Sequence, residues 1–419
     1  MNRAATLVGF LGTGPQVGGY SLARYGYGGR VSRETRFAAL AFAQLLQLKR
    51  VTLFCTEKSA SLYQAELEVE AARFGIEVQF LDFPLGQSSE ELHQQLHTLV
   101  PVLLDPASRP LYLDITHGFR SFPFFASSLL AFASSLVPGN NLRVVYGALD
   151  AAGADKVCPV WDLSATLQAY QHGFELTTFL HSGRLSRAWP DRLRELADQL
   201  GGLDGAGTRD LRSFAEALQR FADHFATIRM GPMLLGESEK AFGSAVALRN
   251  ALYEHRDSLQ RHFPMLAIVL DQIEKQIAPL THDHLLPHLG TPHGLNCSLG
   301  LARLYFACER YSECAVVLRE MAVDMYCEPA GAMPGYANFN DVKRKNGRAL
   351  LAEKDEGLNR LLSRIRNDIE HGGYDDAKHL KSPTQLKQGL EKILVEVQRR
   401  VDHRLREERE SSQGQKGSR

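Results

Sequence analysis

The first 163 residues alternate short apolar runs with longer amphipathic stretches. "AATLVGFL" (4–11), "VTLFC" (51–55), "IEVQFLDF" (76–83), "PLYLDI" (110–115) and "LRVVYGAL" (142–149) have the length and residue types of strands. "DKVCPVWDL" (155–163) adds an edge hairpin. Between them, 32–48, 58–73, 88–104 and 120–136 carry apolar residues at helical spacing. Strands and helices alternating in this way form βαβ units, and therefore a parallel sheet with both faces covered. Ligands of such sheets bind beyond the carboxyl ends of the strands. Three unusual loops fall there: Gly12–Gly19, Thr56–Ser59 and Asp114–Arg120.

The pattern changes near residue 164. "LRELADQL", "LRSFAEALQRFADHFATI", "MLAIVLDQIEKQI", "LARLYFACERYSECAVVLREMAVDMYC" and "LLSRIRNDIE" all repeat at helical period, and strand-like runs almost vanish. Glycine-rich "GGLDGAG" (201–207) and the His/Pro stretch "PLTHDHLLPHLGTPHG" (279–294) read as connectors. The tail "LREERESSQGQKGSR" is polar and reads as disordered. The chain thus divides into an α/β half and an all-α half, with a boundary near 164 and a second near 295.

Composition narrows the function classes. Two or three domains suit 419 residues, and 44% hydrophobic with 23% charged residues predicts a soluble chain with real cores. Lys+Arg and Asp+Glu stand at 48 each, which argues against a protein that coats nucleic acid without selectivity and leaves room for a local basic patch. Six cysteines form no CxxC pair, and the N-terminus lacks a signal-peptide core. No uncharged apolar run reaches membrane-spanning length. The expectation is a cytoplasmic protein with reduced thiols and no membrane contact.

Two stretches carry chemistry. "GTGPQVG" has a dinucleotide-loop spacing, but the many following glycines make the loop long and disfavour the tight phosphate-on-helix geometry of hydride transfer. A glycine loop without a ligand stays open as a reading. "DITHGFR" (114–120) is more specific, with a helix expected to begin near Arg120–Ser121. Free backbone N–H groups there favour an anion. Arg120 offers a planar fork, His117 can donate or accept, and Gly118 permits close backbone approach. Lys58 on the neighbouring loop adds a cation. Each has a plainer role: Asp114 as a turn cap, His117 as a core imidazole, Arg120 as a surface ion pair. Together at one strand end they are better explained by a phosphate-bearing ligand.

The second stretch is "RIRNDIEHGG", with Arg366, Asn367 and His371. Asn367 and His371 stand four apart on a predicted helix, with Arg366 next to the asparagine. Gly372-Gly373 ends that helix, so His371 falls in its last turn, where the helix dipole favours imidazolium. An arginine beside a histidine suffices to cleave RNA without metal: one polarises the scissile phosphate, the other moves protons. "LRNALYEH" is a competitor, placing Arg249, Asn250 and His255 at R-x5-H spacing. His282, His284, His288, His293 and Cys297 are proline-broken and read as a loop, so no metal set is expected. Cys308 and Cys314 read as core thiols on one helix, and "KRKNGR" (343–348) as a basic loop.

"LYLDITHGFRSFP" resembles the signature of the CRISPR-associated DxTHG-motif proteins, with Asp114, Thr116, His117 and Gly118 at the motif positions. The resemblance covers about the first 160 residues and includes "GFLGTG". It implies an N-terminal Rossmann-like CARF domain that senses a cyclic oligoadenylate across the two-fold axis of a homodimer, with cyclic tetra-adenylate favoured. The contacts it implies are Gly12, Thr13, Gly14, Thr56, Lys58, Thr116, His117, Gly118, Phe119 and Arg120. "RNDIEHGG", together with the helix before it, resembles the R-x-x-x-x-H motif of HEPN ribonucleases over about 299–405. That implies a composite site of two Arg/His pairs at a dimer interface, cutting single-stranded RNA without metal or cofactor to leave a 2′,3′-cyclic phosphate. The implied organisation is a CARF domain at 1–163, a helical insert at 164–298, a HEPN domain at 299–405 and a tail at 406–419. A homodimer or an oligomer of dimers is expected. Two rivals remain: a sensor that regulates a partner without catalysis, and a CARF domain that degrades its own ligand.

Overall fold

Six consecutive buried residues, Thr6–Leu11, form strand β1, and the sheet is built outward from it. The computed structural model describes residues 5–15, 19–105, 110–117, 125–130, 132, 142–199, 205–236, 241–262, 267–327, 341–370 and 382–416. They belong to two compact units, Met1–Gln171 and His172–Arg419.

In the first unit β1 lies between β4 (Arg50–Cys55) and β6 (Leu111–Asp114), parallel to both. Strand β4 pairs with β5 (Glu77–Asp82), and β6 with β7 (Leu142–Gly147), again in parallel. β1 is covered on both faces, so its side chains are divided between two cores. Leu7 and Leu11 pack with Phe37, Leu40, Leu53, Tyr63 and Leu67, under helices α1 (Ala38–Leu45) and α2 (Glu57–Phe74). Val8 and Phe10 pack with Phe54, Phe83, Leu99, Leu103, Ala126 and Leu130, under α3 (Ser89–Leu104) and the helical residues 125–130. Each such side chain contributes about 1.5–3 kcal/mol by leaving water. The expected three-layer α/β arrangement is therefore present.

After β1 the chain first makes two strands at the far edge of the sheet; it then enters β4 beside β1 and passes outward to β5, returns to the other side of β1 as β6 and continues outward to β7. Strand order reverses between β1 and β6. In open α/β sheets such a reversal sends the connections to opposite faces, and ligands bind at the strand ends beside it.

Two expectations change. The helix expected at 32–48 begins only at Ala38, because the preceding residues form a hairpin of β2 (Arg24–Tyr27) and β3 (Arg30–Val31). Gly28 and Gly29, at φ 57° and 77°, make its two-residue turn, a geometry that suits glycine. β8 (Val157–Asp162) is antiparallel to β7, but it is not the edge: β2 pairs with its other side.

The second unit is helical among the described residues. Its helices are α4 (Ser164–Ser182, which starts in the first unit), α5 (Trp189–Gln199), α6 (Gly205–Ala226), α7 (Met230–Leu234), α8 (Ser244–His262), α9 (Ala267–Ile277), α10 (Pro292–Ala307), α11 (Tyr311–Asp324), α12 (Asp341–Lys354), α13 (Glu356–Glu370) and α14 (Pro383–Lys416). The long helix expected over 301–327 is two helices, α10 and α11, broken at Cys308–Arg310, where Glu309 takes φ 56°. Tertiary contacts hold the break: Arg310 lies over the rings of Phe225 and Tyr305 and pairs with Glu313. Those rings stack at 4.1 Å, and the Tyr305 hydroxyl donates to the Phe225 carbonyl at 2.6 Å. Cys308 and Cys314 are buried thiols on either side of the break. "KRKNGR", expected as a loop, lies on α12, and α14 carries the polar tail as helix to Lys416. In that last helix Glu396 and Arg400 meet at i, i+4 spacing, a pairing that favours helix.

Gly183 closes α4 at φ 66°, and a Cβ there would lie 2.0 Å from the Phe225 ring. Gly183→Ala is expected to destabilise the protein by about 2 kcal/mol or more in a urea melt. Gly173→Ala, mid-helix with open space around it, serves as the control and is expected to be neutral or mildly stabilising.

Candidate functional site

The three loops singled out from the sequence follow β1, β4 and β6, which are neighbours in the sheet. Their described parts therefore meet at one place, the carboxyl end of the sheet beside the reversal of strand order.

Asp114 ends β6 and is 2% exposed. Its Oδ1 accepts from the Thr116 amide at 2.8 Å. The Thr116 hydroxyl oxygen accepts in turn from the Gly147 amide at 2.9 Å, tying the turn to the end of β7. The carboxylate fits because β1 offers no side chain opposite it: a Cβ on Gly9 would sit 3.3 Å from that of Asp114. Burial pushes the Asp114 carboxyl up to about 6, against the Thr116 hydrogen bonds that lower it.

His117 follows in the same turn. Burial pushes its imidazole down to about 4, so the ring is neutral at pH 7. Its Nε2 is enclosed and has no hydrogen-bond partner among the described residues. The Tyr20 ring lies against it, centroids 4.2 Å apart. Tyr20 is buried, and burial raises its phenol, while backbone hydrogen bonds at Gly12 and Gly14 pull the other way. Gly12, Thr13 and Gly14 are thus bracketed by two tyrosines, because the Tyr63 hydroxyl donates to the Thr13 carbonyl at 3.0 Å. Gly14 and Gly19 sit at φ 69° and 62°, and a Cβ on Gly19 would come within 2.8 Å of that hydroxyl. The loop needs glycine at both positions for backbone and for space.

Thr56 is the N-cap of α2. Its hydroxyl accepts from the Ser59 amide at 3.2 Å, and the Ser59 hydroxyl accepts from the Thr56 amide at 2.9 Å, a capping box. Lys58 is exposed in the first turn of the helix. Gly118, Phe119 and Arg120, with the helix start expected at Arg120–Ser121, lie outside the described residues.

Tyr20 and Tyr63 were not anticipated from sequence. Tyr63 had a readable signal: it shares the buried face of α2 with Ser59, Leu67 and Ala71. Tyr20, inside a glycine-rich loop, had none.

In the second unit, Arg366 and Asn367 lie near the end of α13, with Arg366 Nη2 donating to the Asn367 side-chain oxygen at 3.1 Å. His371 lies outside the described residues. The competitor on α8 is engaged elsewhere: Arg249 pairs with Asp283 at 2.9 Å and His255 with Asp210 at 3.1 Å. His282 Nε2 meets the Leu234 carbonyl at 2.9 Å, and His288 Nδ1 accepts from the Gly290 amide at 3.0 Å. Among the described residues no group of three or more His, Cys, Asp or Glu side chains could hold a metal ion, and no helix is long and apolar enough to cross a membrane.

No family model matches the chain. A stretch of 93 residues, 22% of the chain, is 33% identical to a CRISPR-associated protein of Methanocaldococcus jannaschii. The match spans 15% of the length of that relative. It ties this stretch of the chain to the CRISPR-associated proteins. Csm6 of Enterococcus italicus, solved bound to cyclic hexa-2′-fluoro-hexa-dAMP, aligns over 94% of each chain at 10% identity and a TM-score of 0.36.

The raised pKa of Asp114 gives a test. The native state holds this proton more tightly than the unfolded chain does, so the buried carboxylate costs stability above about pH 6 and the cost fades as pH falls through that value. Asp114→Asn, which keeps the acceptor for the Thr116 amide, is expected to melt above the unsubstituted protein at pH 7.5. The difference should shrink towards pH 5 when melting temperatures are followed across pH.

Proposed function

We propose that the chain is a cyclic-oligoadenylate-activated, metal-independent endoribonuclease of type III CRISPR antiviral defence. Residues 1–163 act as the CARF sensor, 299–405 as the HEPN ribonuclease, and the protein works as a homodimer. The observation that carries the first half is the convergence of the Gly12–Gly14 loop, the start of α2 and the Asp114–His117 turn at the reversal of strand order. A crevice there, lined by backbone at Gly12–Gly14 and by a neutral imidazole, suits adenine edges and ribose hydroxyls. Lys58 and Arg120 supply charge for the phosphates. The activator is cyclic tetra-adenylate, bound across the two-fold axis by Gly12, Thr13, Gly14, Thr56, Lys58 and residues 116–120 of both copies.

Catalysis belongs to Arg366, Asn367 and His371. His371 takes the proton of a ribose 2′-hydroxyl. The 2′-oxygen bonds to the adjacent phosphorus, and the bond from phosphorus to the 5′-oxygen breaks. The products are a 2′,3′-cyclic phosphate and a 5′-hydroxyl, the leaving oxygen collecting a proton from the second Arg/His pair or from water. Arg366 neutralises charge on the phosphoryl oxygens, oriented by its bond to Asn367. Activator binding raises activity only as far as it prefers the dimer geometry in which the two pairs meet.

Cleavage of a fluorescent single-stranded RNA in EDTA, with and without cyclic tetra-adenylate, tests this. Activator-dependent cleavage is expected, reduced on the order of 100-fold or more in His371→Ala and Arg366→Ala. Activation by cyclic hexa-adenylate instead would correct the ring size. Ligand binding without cleavage by either ring would leave a non-catalytic sensor, and loss of the ring itself would identify a ligand-degrading domain. His117→Ala is expected to weaken activator binding by about tenfold in calorimetry without shifting the RNA affinity of the ligand-free protein.

A further inference from the structure

Helices α11, α12 and α13 bring four arginines into one electrostatic neighbourhood: Arg319, Arg344, Arg348 and Arg366. α11 packs against both α12 and α13. Gly347 permits the approach of α12, since a Cβ there would lie 2.6 Å from Cys327 Sγ and 3.0 Å from the Val323 carbonyl oxygen. Arg344 and Arg348 flank this contact on successive turns of α12.

The four are not equivalent. Arg344 is paired with Asp324 and Glu320 together, and is only 12% exposed. Those two carboxylates are thereby spent on α12 docking. Arg319, one residue before Glu320, makes no hydrogen bond or ion pair among the described residues, and its Nη1 is enclosed without a partner. Arg348 is exposed and likewise unpaired among them. Burial lowers the Arg319 guanidinium most; Glu320 opposes this, and Arg366, Arg348 and Arg344 lower it further. A half-buried guanidinium with an unused N–H, facing like charges, is costly on its own. Arg319 Nε and Nη2 are not enclosed, and that edge is open to an anion with several acceptor oxygens. A phosphodiester is that anion, and the fork of arginine matches it.

We propose that Arg319, with Arg348, binds a backbone phosphate of single-stranded RNA next to the phosphate held by Arg366. The proposal deepens the ribonuclease reading and rests on it. Arg319 is a binding residue for a flanking phosphate, and Arg344 is the strut that holds α12 in place.

The test uses the full chain and a fluorescent 2′-O-methyl RNA, which cannot be cleaved through its 2′-oxygen. Anisotropy titrations over a range of salt concentrations compare the unsubstituted protein with Arg319→Ala, Arg319→Lys and Arg348→Ala. Arg319→Ala is expected to weaken binding about ten- to a hundredfold at low salt. Its log-affinity against log-salt slope should be shallower by about 0.7, the loss of one phosphate contact on a single strand. Arg319→Lys is expected to keep the slope and lose affinity, because the charge stays and the fork goes. The melting temperature of Arg319→Ala should be unchanged or higher, since an unpaired like charge is removed. On cleavable RNA with activator, the loss should fall on KM more than on kcat. An unchanged slope in Arg319→Ala, with RNA still bound by the unsubstituted protein, overturns this assignment alone. A drop in melting temperature for both Arg319 variants overturns it too, by making the residue structural. Failure of the unsubstituted protein to bind or cleave RNA overturns the ribonuclease reading and this assignment together.

Discussion

The carboxyl end of the sheet depends on one buried carboxylate. Asp114 occupies the space that Gly9 leaves beside β1, accepts the Thr116 amide, and so sets a turn whose threonine hydroxyl meets the Gly147 amide at the end of β7. The ends of β6 and β7 are thereby tied through one turn, packed closely against Gly9 of β1. The price is a carboxyl held near 6 by desolvation, and it is tolerated because its main hydrogen bond is made inside the same turn. His117 leaves that turn with its ring against Tyr20, which itself reaches the backbone of the glycine loop. A change at Asp114 therefore reaches the glycine loop through covalent and hydrogen-bonded neighbours, without any long-range device.

In the helical unit, several arginines are held by acids from other parts of the fold or from the same helix. Arg256 is matched by Asp271 and Glu274, Arg310 by Glu313 and two aromatic faces, and Arg400 by Asp355 and Glu396. Arg249 and His255, which share a motif-like spacing, are drawn to separate acids, Asp283 and Asp210. Arg319 differs: its Nη1 is enclosed without a partner among the described residues, and the charges of Arg366, Arg348 and Arg344 act on it.

Much of the first unit was legible because its strands are buried on both faces. Residues such as Leu7, Val8, Phe10 and Leu11 must all be apolar there, which writes an unbroken run into the chain. The functional loops were legible for the same reason: strand ends are where the runs stop. The β2–β3 hairpin was harder to see. Its Gly28-Gly29 turn is a readable signal, but β2 has only Tyr25 fully buried and is recruited by pairing with β8. The break between α10 and α11 has no glycine or proline to announce it. Helical periodicity runs straight through Cys308–Arg310, and the turn there is held by Phe225, Tyr305 and Glu313.

The sequence by itself determined the α/β-then-helical order, the parallel character of the central sheet, and the residue types at both candidate sites. Those follow from periodicity and local backbone chemistry, which act between near neighbours in the chain. Only the tertiary structure decided which strand ends adjoin, that β8 is interior, that Tyr20 and Tyr63 bracket the glycine loop, and that Arg319 has no partner among the described residues and feels the charge of Arg366. Burial, partner and field are properties of what the folded chain brings from far away, and no local pattern encodes them.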